Sequence, residues 1–313
     1  MKKKAIIISL SGTKLSKKEI ILLKKKPWGV ILFSRNLKSI KQIKELTSKI
    51  KFYSKDRKFP IIIDEEGLSV SRLRKIINHN ISANFFGKLF KKNRNFFIKI
   101  YQHYLNSLTK ILKDLGFNIN TIPVIDVLRD YTHKIISDRS FSKDKKIVKK
   151  FGDLTIRSLH SNNICGVIKH IPGHGCSFSD SHKRKPIVHL SLKELNQTDF
   201  YPFSLSKAKF AMTAHILYKK LDKDNVASLS KKIIKDIIRK KLGFKGIIMS
   251  DDISMKALQF DLVTNARKSI EAGCNLVLYC GGKTNENFKL IKMLPDIDKF
   301  TSKKTSEFYK FLR

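Results

Sequence analysis

The sequence predicts an α/β protein built as a single (β/α)8 barrel of the TIM type. Eight short apolar runs alternate with segments of helical spacing along the 313 residues, and no Gly/Ser-rich linker interrupts them. Polar residues follow the C-terminal ends of several of these runs. Alternating strands and helices form parallel sheets, and a closed barrel typically needs about 250 residues. An open doubly wound sheet is the structural alternative, although its usual Gly-x-Gly-x-x-Gly loop does not follow the early strands.

The elements can be assigned in order. The predicted strands are residues 5–10, 29–33, 60–63, 117–122, 164–168, 210–214, 246–249 and 275–279. Short apolar runs bounded by Gly, Pro or polar residues are typical of buried strands. The predicted helices are residues 16–25, 40–52, 96–115, 143–159, 192–206, 231–242, 262–272 and 284–293. Ser16 is a suitable N-cap, and Gly243 and Gly273 end their helices. Residues 1–313 therefore form one domain, with a basic tail from about residue 300.

The net charge of +39, from 65 Lys and Arg against 26 Asp and Glu, is unusually high. Such a charge suits a polyanion-binding protein. However, the lysines occur on nearly every predicted helix, and no aromatic-basic signature of an RNA-binding sheet is present. We therefore expect no specific nucleic-acid partner, only loose attraction to polyanions. The apolar run at residues 5–10 is too short for a signal peptide, and no run is long enough for a membrane span. We expect a cytoplasmic monomer without membrane insertion.

Cysteine and histidine spacing argues against a metal or redox site. The four cysteines do not form a Cys-x-x-Cys pair, and three of them lie in apolar runs, as reduced core residues do. No His-Glu-x-x-His spacing occurs either. The sequence therefore predicts no metal and no cofactor. The cysteines are Cys165, Cys176, Cys274 and Cys280.

The stretch from Lys169 to His182 holds most of the candidate chemistry. It contains three histidines, a lysine, an aspartate and two glycines, and the apolar run 164–168 leads directly into it. Ionisable residues concentrated on a loop that a strand anchors indicate a functional site more than a solvated turn. Other polar residues end other predicted strands, and in a barrel these ends converge on one face. The strand-end residues are Asp64, Asp126, Lys169, His170, His215 and Asp251.

Six segments, in order along the chain, resemble family-three glycoside hydrolases, and in particular their bacterial β-N-acetylhexosaminidase branch. They are Gly-Val-Ile-Leu-Phe-Ser-Arg-Asn at 29–36, Asp-Glu-Glu-Gly at 64–67, Pro-Val-Ile-Asp at 123–126, Asp-Arg-Ser-Phe-Ser at 138–142, Lys-His-Ile-Pro-Gly-His-Gly at 169–175 with Asp-Ser-His at 180–182, and Gly-Phe-Lys-Gly-Ile-Ile-Met-Ser-Asp-Asp-Ile-Ser-Met at 243–255. The resemblance implies a barrel that hydrolyses terminal N-acetylglucosamine. It also implies a carbohydrate substrate from cell-wall recycling, namely fragments carrying anhydro-N-acetylmuramic acid and peptide.

The resemblance also assigns roles to the catalytic residues. It implies that Asp251 is the nucleophile of a retaining reaction, which attacks the anomeric carbon. Asp252 is the adjacent candidate, but its side chain should point to the other side of the strand; a helix N-cap is the structural alternative for Asp251. His182 matches the family's acid/base and Asp180 its orienting partner. A carboxylate beside a histidine stabilises the imidazolium and fixes its orientation. An exposed Asp-Ser-His turn is the bland alternative.

The family's sugar-binding positions can be assigned residue by residue. For Arg139 and Lys169, an ion pair on the rim of the barrel is the alternative. We expect His174 to shape the loop and His215 to line the pocket floor. The matching positions are Asp64, Arg72, Arg139, Lys169 and His170. One departure stands out, since Leu68 and Ser69 replace the usual Gly-Arg, and leucine would strain a tight turn.

Two rival functions remain from the residues alone. A metal-dependent hydrolase could use the same histidines and aspartates, because these are also ligand types. A non-catalytic polyanion-binding protein would account for the net charge of +39. The carboxylates at the strand ends argue against the second.

Overall fold

Eight parallel strands close into a barrel in the computed structural model of the chain, which describes residues 2–77, 80–181 and 184–312. The barrel strands are β1 (Lys4–Ser9), β2 (Pro27–Leu32), β3 (Ile61–Ile63), β4 (Ile119–Asn120), β5 (Cys165–Ile171), β7 (Phe210–Thr213), β9 (Ile247–Asp252) and β10 (Leu276–Leu278). Their order around the barrel is β1-β10-β9-β7-β5-β4-β3-β2. Two short strands, β6 (Ile187–Val188) and β8 (Leu217–Tyr218), pair separately. The predicted barrel and the positions of its eight strands are confirmed.

Helices surround the barrel. They are α1 (Lys17–Lys24), α2 (Ile40–Tyr53), α3 (Ala83–Lys92), α4 (Arg94–Asp114), α5 (Lys145–Ser161), α6 (Leu192–Gln197), α7 (Leu262–Ala272), α8 (Thr284–Met293) and α9 (Lys299–Phe311), with a π-helical segment at Ile233–Lys241. Ser16 caps α1 as predicted, through a capping box with Glu19. No helix among the described residues is both long and apolar enough to cross a membrane.

The sequence analysis missed one helix and predicted another too long. The sequence analysis contained no helix at α3, because its phenylalanines are weak helix formers that gain their stability from packing. Here Phe86 and Phe90 pack against Phe97 of α4, with ring centroids 6.5 and 5.3 Å apart. The predicted helix 192–206 is shorter, since α6 ends at Gln197 and only a 3-10 turn follows at Tyr201–Phe203.

The core divides into an inner and an outer layer, as the alternation of side chains along a strand requires. On β1, Ala5 and Ile7 belong to the cluster inside the barrel, whereas Ile6 and Ile8 belong to the layer between barrel and helices. Because both faces of each strand are buried, the strands read as continuous apolar runs. This explains why the strands can be recognised in the sequence.

The last helix closes the amino-terminal end of the barrel. The segment predicted as a basic tail forms α9, and Phe308 on it is fully buried against Trp28 and Phe210. The indole of Trp28 donates a 2.9 Å hydrogen bond to the hydroxyl of Thr305. The predicted site residues Asp64, Lys169 and Asp251 lie at the opposite, carboxyl-terminal ends of the strands.

Candidate active site

The carboxyl ends of the strands bring most of the predicted site residues to one face. Asp64 directly follows β3, Lys169 and His170 lie near the end of β5, and Asp251 lies near the end of β9. Burial is the main cause that raises the pKa of the Cys280 thiol, and the charges of Asp252, Asp64 and Asp251 add to the shift, so carboxylates from opposite sides of the barrel lie near this thiol. The convergence that the sequence predicted is present.

Glu66 holds the centre of a buried ion network. Its carboxylate accepts hydrogen bonds from Arg139 Nε (2.7 Å) and Nη2 (2.9 Å), and its Oε1 lies 2.6 Å from Lys169 Nζ. All three side chains are at least nine-tenths buried. Burial alone would raise the pKa of Glu66, but the charges of Arg139 and Lys169 lower it. The rim ion pair considered for Arg139 and Lys169 is thus real, but it is buried and shared through one carboxylate.

Asp64 joins this network from the other side of Lys169. Its Oδ1 lies 3.3 Å from Lys169 Nζ, and its Oδ2 accepts a 2.9 Å hydrogen bond from Arg72 Nη2. Thr121 donates its hydroxyl hydrogen to Asp64 and accepts a 2.8 Å hydrogen bond from Lys169. Burial raises the pKa of Asp64, but Lys169 and Arg72 overcome that effect and hold the pKa far below its usual range. Asp64 is therefore an ionised acceptor suited to sugar hydroxyl groups.

A second buried carboxylate, Asp126, orients His170 and the loop behind it. Its Oδ2 lies 2.8 Å from His170 Nδ1, and its Oδ1 accepts hydrogen bonds from the backbone N–H groups of His170 (3.1 Å) and His174 (2.6 Å). A carboxylate at Nδ1 places the proton there and leaves Nε2 as the second ring nitrogen for a ligand. His174 is itself buried, and its pKa is lowered to about 4, by burial first and then by His170. A neutral His174 fits the expected role in shaping the loop.

Asp251 and Asp252 end β9 in different environments. Asp252 is used by the backbone turn, since its carboxylate accepts hydrogen bonds from Ser254 N (3.1 Å), Ser254 Oγ (2.7 Å) and Cys280 N (3.1 Å). Burial raises its pKa, although those hydrogen bonds oppose the shift. Asp251 Oδ1 accepts a 2.8 Å hydrogen bond from the backbone N–H of Asp252. Asp252 is thus engaged in holding the turn, and Asp251 stays the predicted nucleophile.

His215 contacts the backbone at this end of β9. It is fully buried, with Nε2 3.0 Å from the carbonyl oxygen of Asp252 and Nδ1 2.6 Å from Ser228 Oγ. Because a carbonyl oxygen can only accept, Nε2 carries the proton and Nδ1 accepts from the hydroxyl. Burial lowers the pKa of His215, which keeps the ring in this neutral form. His215 therefore fixes the backbone beside Asp251, and its place on the pocket floor stays a prediction.

Asp180, the predicted partner of the acid/base, lies on the loop after β5. Asp180 is 8% exposed, and the backbone N–H of Ala257 donates a 3.1 Å hydrogen bond to the carbonyl oxygen of Ser181. This bond joins the Asp180 loop to the segment that follows Asp251 and Asp252. His182 lies outside the described residues, so its role stays a prediction.

The departure at residues 68 and 69 does not strain the loop. The positive φ of +131° belongs to Gly67, and Leu68 is not among the non-glycine residues with positive φ. The hydroxyl of Ser69 lies 2.6 Å from both carboxylate oxygens of Asp138, next to Arg139 in the chain. The strain expected at Leu68 is therefore absent, and Ser69 ties the Asp64 loop to the Arg139 loop.

Sequence reasoning missed Glu66 and Thr121. Glu66 lies two residues after Asp64, and the sequence analysis considered it only within the Asp-Glu-Glu-Gly segment. One signal could have found it, because two cations predicted in one sugar-binding site, Arg139 and Lys169, need a buried counter-charge. Thr121 carries no comparable signal, since a threonine after a strand is common.

The described residues contain no group of three or more His, Cys, Asp or Glu side chains that could hold a metal ion. The histidines instead contact carboxylate, hydroxyl and backbone partners, as His170 and His215 do.

Comparison with known proteins agrees with this geometry. Residues 4–306 match the glycosyl hydrolase family 3 N-terminal domain. A β-hexosaminidase of Hydrogenovibrio crunogenus is 33% identical over 80% of this chain and 71% of its own, and one of Haemophilus influenzae is 31% identical over 94% and 83%. NagZ from Neisseria gonorrhoeae, solved with N-trifluoroacetyl-D-glucosamine, superposes with a TM-score of 0.85 at 27% identity, over 98% of this chain and 90% of that one.

A parallel barrel with buried, ionised carboxylates at its carboxyl-terminal face, together with these matches, defines an enzyme of the glycoside hydrolase class. Within that class, the chain belongs to glycosyl hydrolase family 3.

Proposed function

We propose that the protein is a retaining β-N-acetylhexosaminidase, which removes terminal, β-linked N-acetylglucosamine. Its proposed substrate is a peptidoglycan fragment carrying anhydro-N-acetylmuramic acid and peptide, in the recycling of the cell wall. The observation that carries the proposal is the Asp64 cluster, in which one ionised carboxylate is held by Lys169 and Arg72. Such a cluster offers fixed acceptors and donors for the hydroxyl groups of one neutral sugar ring.

The specificity for N-acetylglucosamine is supported by the relatives. Those with 30 to 33% identity carry the name β-hexosaminidase, and the gonococcal NagZ structure contains an N-acylated glucosamine analogue. Asp64, Arg72, Arg139, Lys169 and His170 are the proposed sugar-binding residues. Glu66 acts through Arg139 and Lys169, since it fixes both in position.

In the first step of the proposed mechanism, Asp251 attacks the anomeric carbon while the bond to the leaving oxygen breaks. His182 in its protonated form gives its proton to that oxygen, so the leaving group departs as a neutral alcohol. Asp180 stabilises the imidazolium form before the transfer. His215 holds the Asp252 carbonyl group, and thereby keeps the Asp251 backbone in place.

In the second step, the neutral imidazole of His182 takes a proton from water, which attacks the anomeric carbon and releases Asp251. The sugar leaves with its original anomeric configuration after two displacements. Because the histidine ends the cycle protonated, the enzyme is ready for another substrate.

The test compares 4-nitrophenyl N-acetyl-β-glucosaminide with the corresponding β-glucoside, followed by an N-acetylglucosaminyl-anhydromuramyl peptide. We expect kcat/KM to be at least about 100-fold higher for the N-acetylglucosaminide, because a buried polar site discriminates strongly against a missing partner. We also expect the natural fragment to be cleaved, and activity to persist after exhaustive chelation. Equal rates on both chromogenic sugars would contradict the proposed specificity, and loss on chelation would restore the metal-dependent alternative.

A further inference from the structure

The loop after β5 has a rigid base. Gly175 lies so close to the preceding loop that a Cβ atom there would be 1.7 Å from the carbonyl oxygen of Val127, which only glycine permits. The hydroxyl of Tyr218 donates a 2.6 Å hydrogen bond to the carbonyl oxygen of Gly173. Cys176 is also buried. Residues 173–176 are therefore fixed by contacts on several sides.

The apex of the same loop is held differently. Phe178, two residues before Asp180, is 61% exposed, yet its ring stacks on that of Tyr131 with centroids 4.2 Å apart and an interplanar angle of 18°. Around this pair, Thr132 Oγ1 donates a 2.6 Å hydrogen bond to Gly175 O, and the backbone N–H of His133 donates a 3.0 Å bond to Ser177 O. The loop after β4 is thus bound to the loop that carries Asp180 by two hydrogen bonds and a ring stack.

Tyr131 is itself anchored to the body of the protein. The guanidinium group of Arg129 lies 5.8 Å from the centre of the Tyr131 ring, and it forms an ion pair with the fully buried Asp199. A planar cation near an aromatic face restricts the ring. The stack therefore connects an exposed apex to a buried charge.

We infer that Tyr131 and Phe178 are positioning residues, whose stacked rings keep the apex of the β5 loop, and with it Asp180, against the active site. The inference rests on the proposed role of Asp180 in proton transfer. It assigns a function to two exposed aromatic side chains that the reaction itself does not use. It also explains why the pair lies at the rim of the active-site face and not in the core.

The size of the effect follows from the strength of the stack. An aromatic pair of this geometry shifts a conformational equilibrium by about two- to tenfold. The loss of kcat/KM on removal of the stack should appear only where proton donation limits the rate, which is the case with poor leaving groups. The alternative is that the two rings stack on the substrate itself. In that case, removing them would affect only substrates whose leaving group is a sugar.

The test therefore uses leaving groups without a sugar, namely phenyl and 4-nitrophenyl N-acetyl-β-glucosaminide. In Phe178→Ala and Tyr131→Ala, we expect the ratio of kcat/KM for the phenyl over the nitrophenyl substrate to fall about two- to tenfold. Phe178→Tyr keeps a stacking ring and should retain the wild-type ratio. Phe52→Ala is the control, because Phe52 is 74% exposed on α2 and contacts Tyr53 only edge to face, with ring centroids 5.1 Å apart.

Hydrogen exchange supplies a second measurement. Backbone amides of residues 177–181 should exchange faster in Phe178→Ala and Tyr131→Ala than in the wild type. An unchanged ratio with unchanged exchange overturns the inference. An unchanged ratio with a raised KM for the disaccharide overturns it as well, and indicates that the two rings stack on the substrate. If Asp180→Asn itself leaves the ratio unchanged, the proposed role of Asp180 fails, and exchange alone then decides whether the stack holds the loop.

Discussion

Lys169 Nζ lies 2.6 Å from Glu66 Oε1, and both side chains are at least 95% buried. The same carboxylate receives two hydrogen bonds from Arg139, so one negative charge serves two buried cations. Removing one partner of a buried ion pair leaves an uncompensated charge, which is far more costly than losing a surface pair. Glu66 is therefore as important to the site as the residues it positions.

Glu66→Gln keeps the shape of the side chain and removes its charge. We expect the free energy of unfolding to fall by about 3 kcal/mol and kcat/KM for the N-acetylglucosaminide to fall by about 100-fold, because Arg139 and Lys169 lose their common partner. Urea unfolding and steady-state kinetics measure the two effects. Glu307→Gln is the control, since the pair of Glu307 with Lys304 is at the surface and should contribute nothing measurable. A wild-type kcat/KM together with a wild-type free energy of unfolding in Glu66→Gln would show that the network is dispensable.

Asp251→Asn should remove nearly all turnover while the protein stays folded, because the amide cannot attack the anomeric carbon. A loss of about 10⁴-fold or more in kcat is expected, and a fluorinated N-acetylglucosaminyl inactivator should no longer label the protein. Asp252→Asn should still be labelled at Asp251, since Asp252 is occupied by Ser254 and Cys280. Labelling of Asp252 in the Asp251→Asn variant, detected by mass spectrometry of peptides, would reverse the two assignments.

His182→Ala should damage hydrolysis of the natural disaccharide far more than that of a nitrophenyl sugar, because only the sugar alcohol needs protonation to leave. With the nitrophenyl substrate, a burst of phenol should precede slow turnover as water attack becomes limiting. Equal losses on both substrates without a burst would mean that the proton comes from another residue.

Asp180→Asn should cause a milder defect of the same kind as His182→Ala, because it keeps the imidazole and removes only the orienting charge. The basic limb of the pH–rate profile should move to lower pH, since a carboxylate favours the protonated imidazole. The measurement is kcat/KM across pH for both the wild type and the variant. Superimposable profiles would exclude Asp180 as the partner.

His160 should make stability fall as the pH falls. Burial lowers its pKa from 6.5 to about 4, and Lys209 adds to the shift. Between these values the unfolded chain binds a proton that the folded chain does not, so the contribution is complete above about pH 6.5 and is lost towards pH 4. His160→Gln should reduce the difference in unfolding free energy between pH 7 and pH 5 by about 1 kcal/mol, after allowance for partial exposure. His189→Gln, at an exposed position, should leave that difference unchanged.

The sequence was sufficient for the barrel and for placing most of the candidate residues at its carboxyl-terminal face. Strands such as β5 and β9 are buried on both faces and therefore read as apolar runs, and the residues at their ends follow from the geometry of a barrel. What it could not give were contacts between distant loops. Glu66 and Arg139 are 73 positions apart, and Tyr131 and Phe178 meet only because two loops share a rim. The helix α3 is stabilised by packing against neighbouring helices, and local helix propensity does not report such contacts.

The pairing of β1 with β10 has a consequence for how the chain reaches its native state. Ile6 lies opposite Val277, so the two barrel strands farthest apart in sequence are neighbours in space. Until β10 is available, β1 and β9 each present an unpaired row of backbone N–H and C=O groups, which is the surface on which other chains associate. Contacts of such long sequence separation also slow folding. The period before closure is thus when this enzyme is most exposed to aggregation, and it ends when β10 pairs with both β1 and β9.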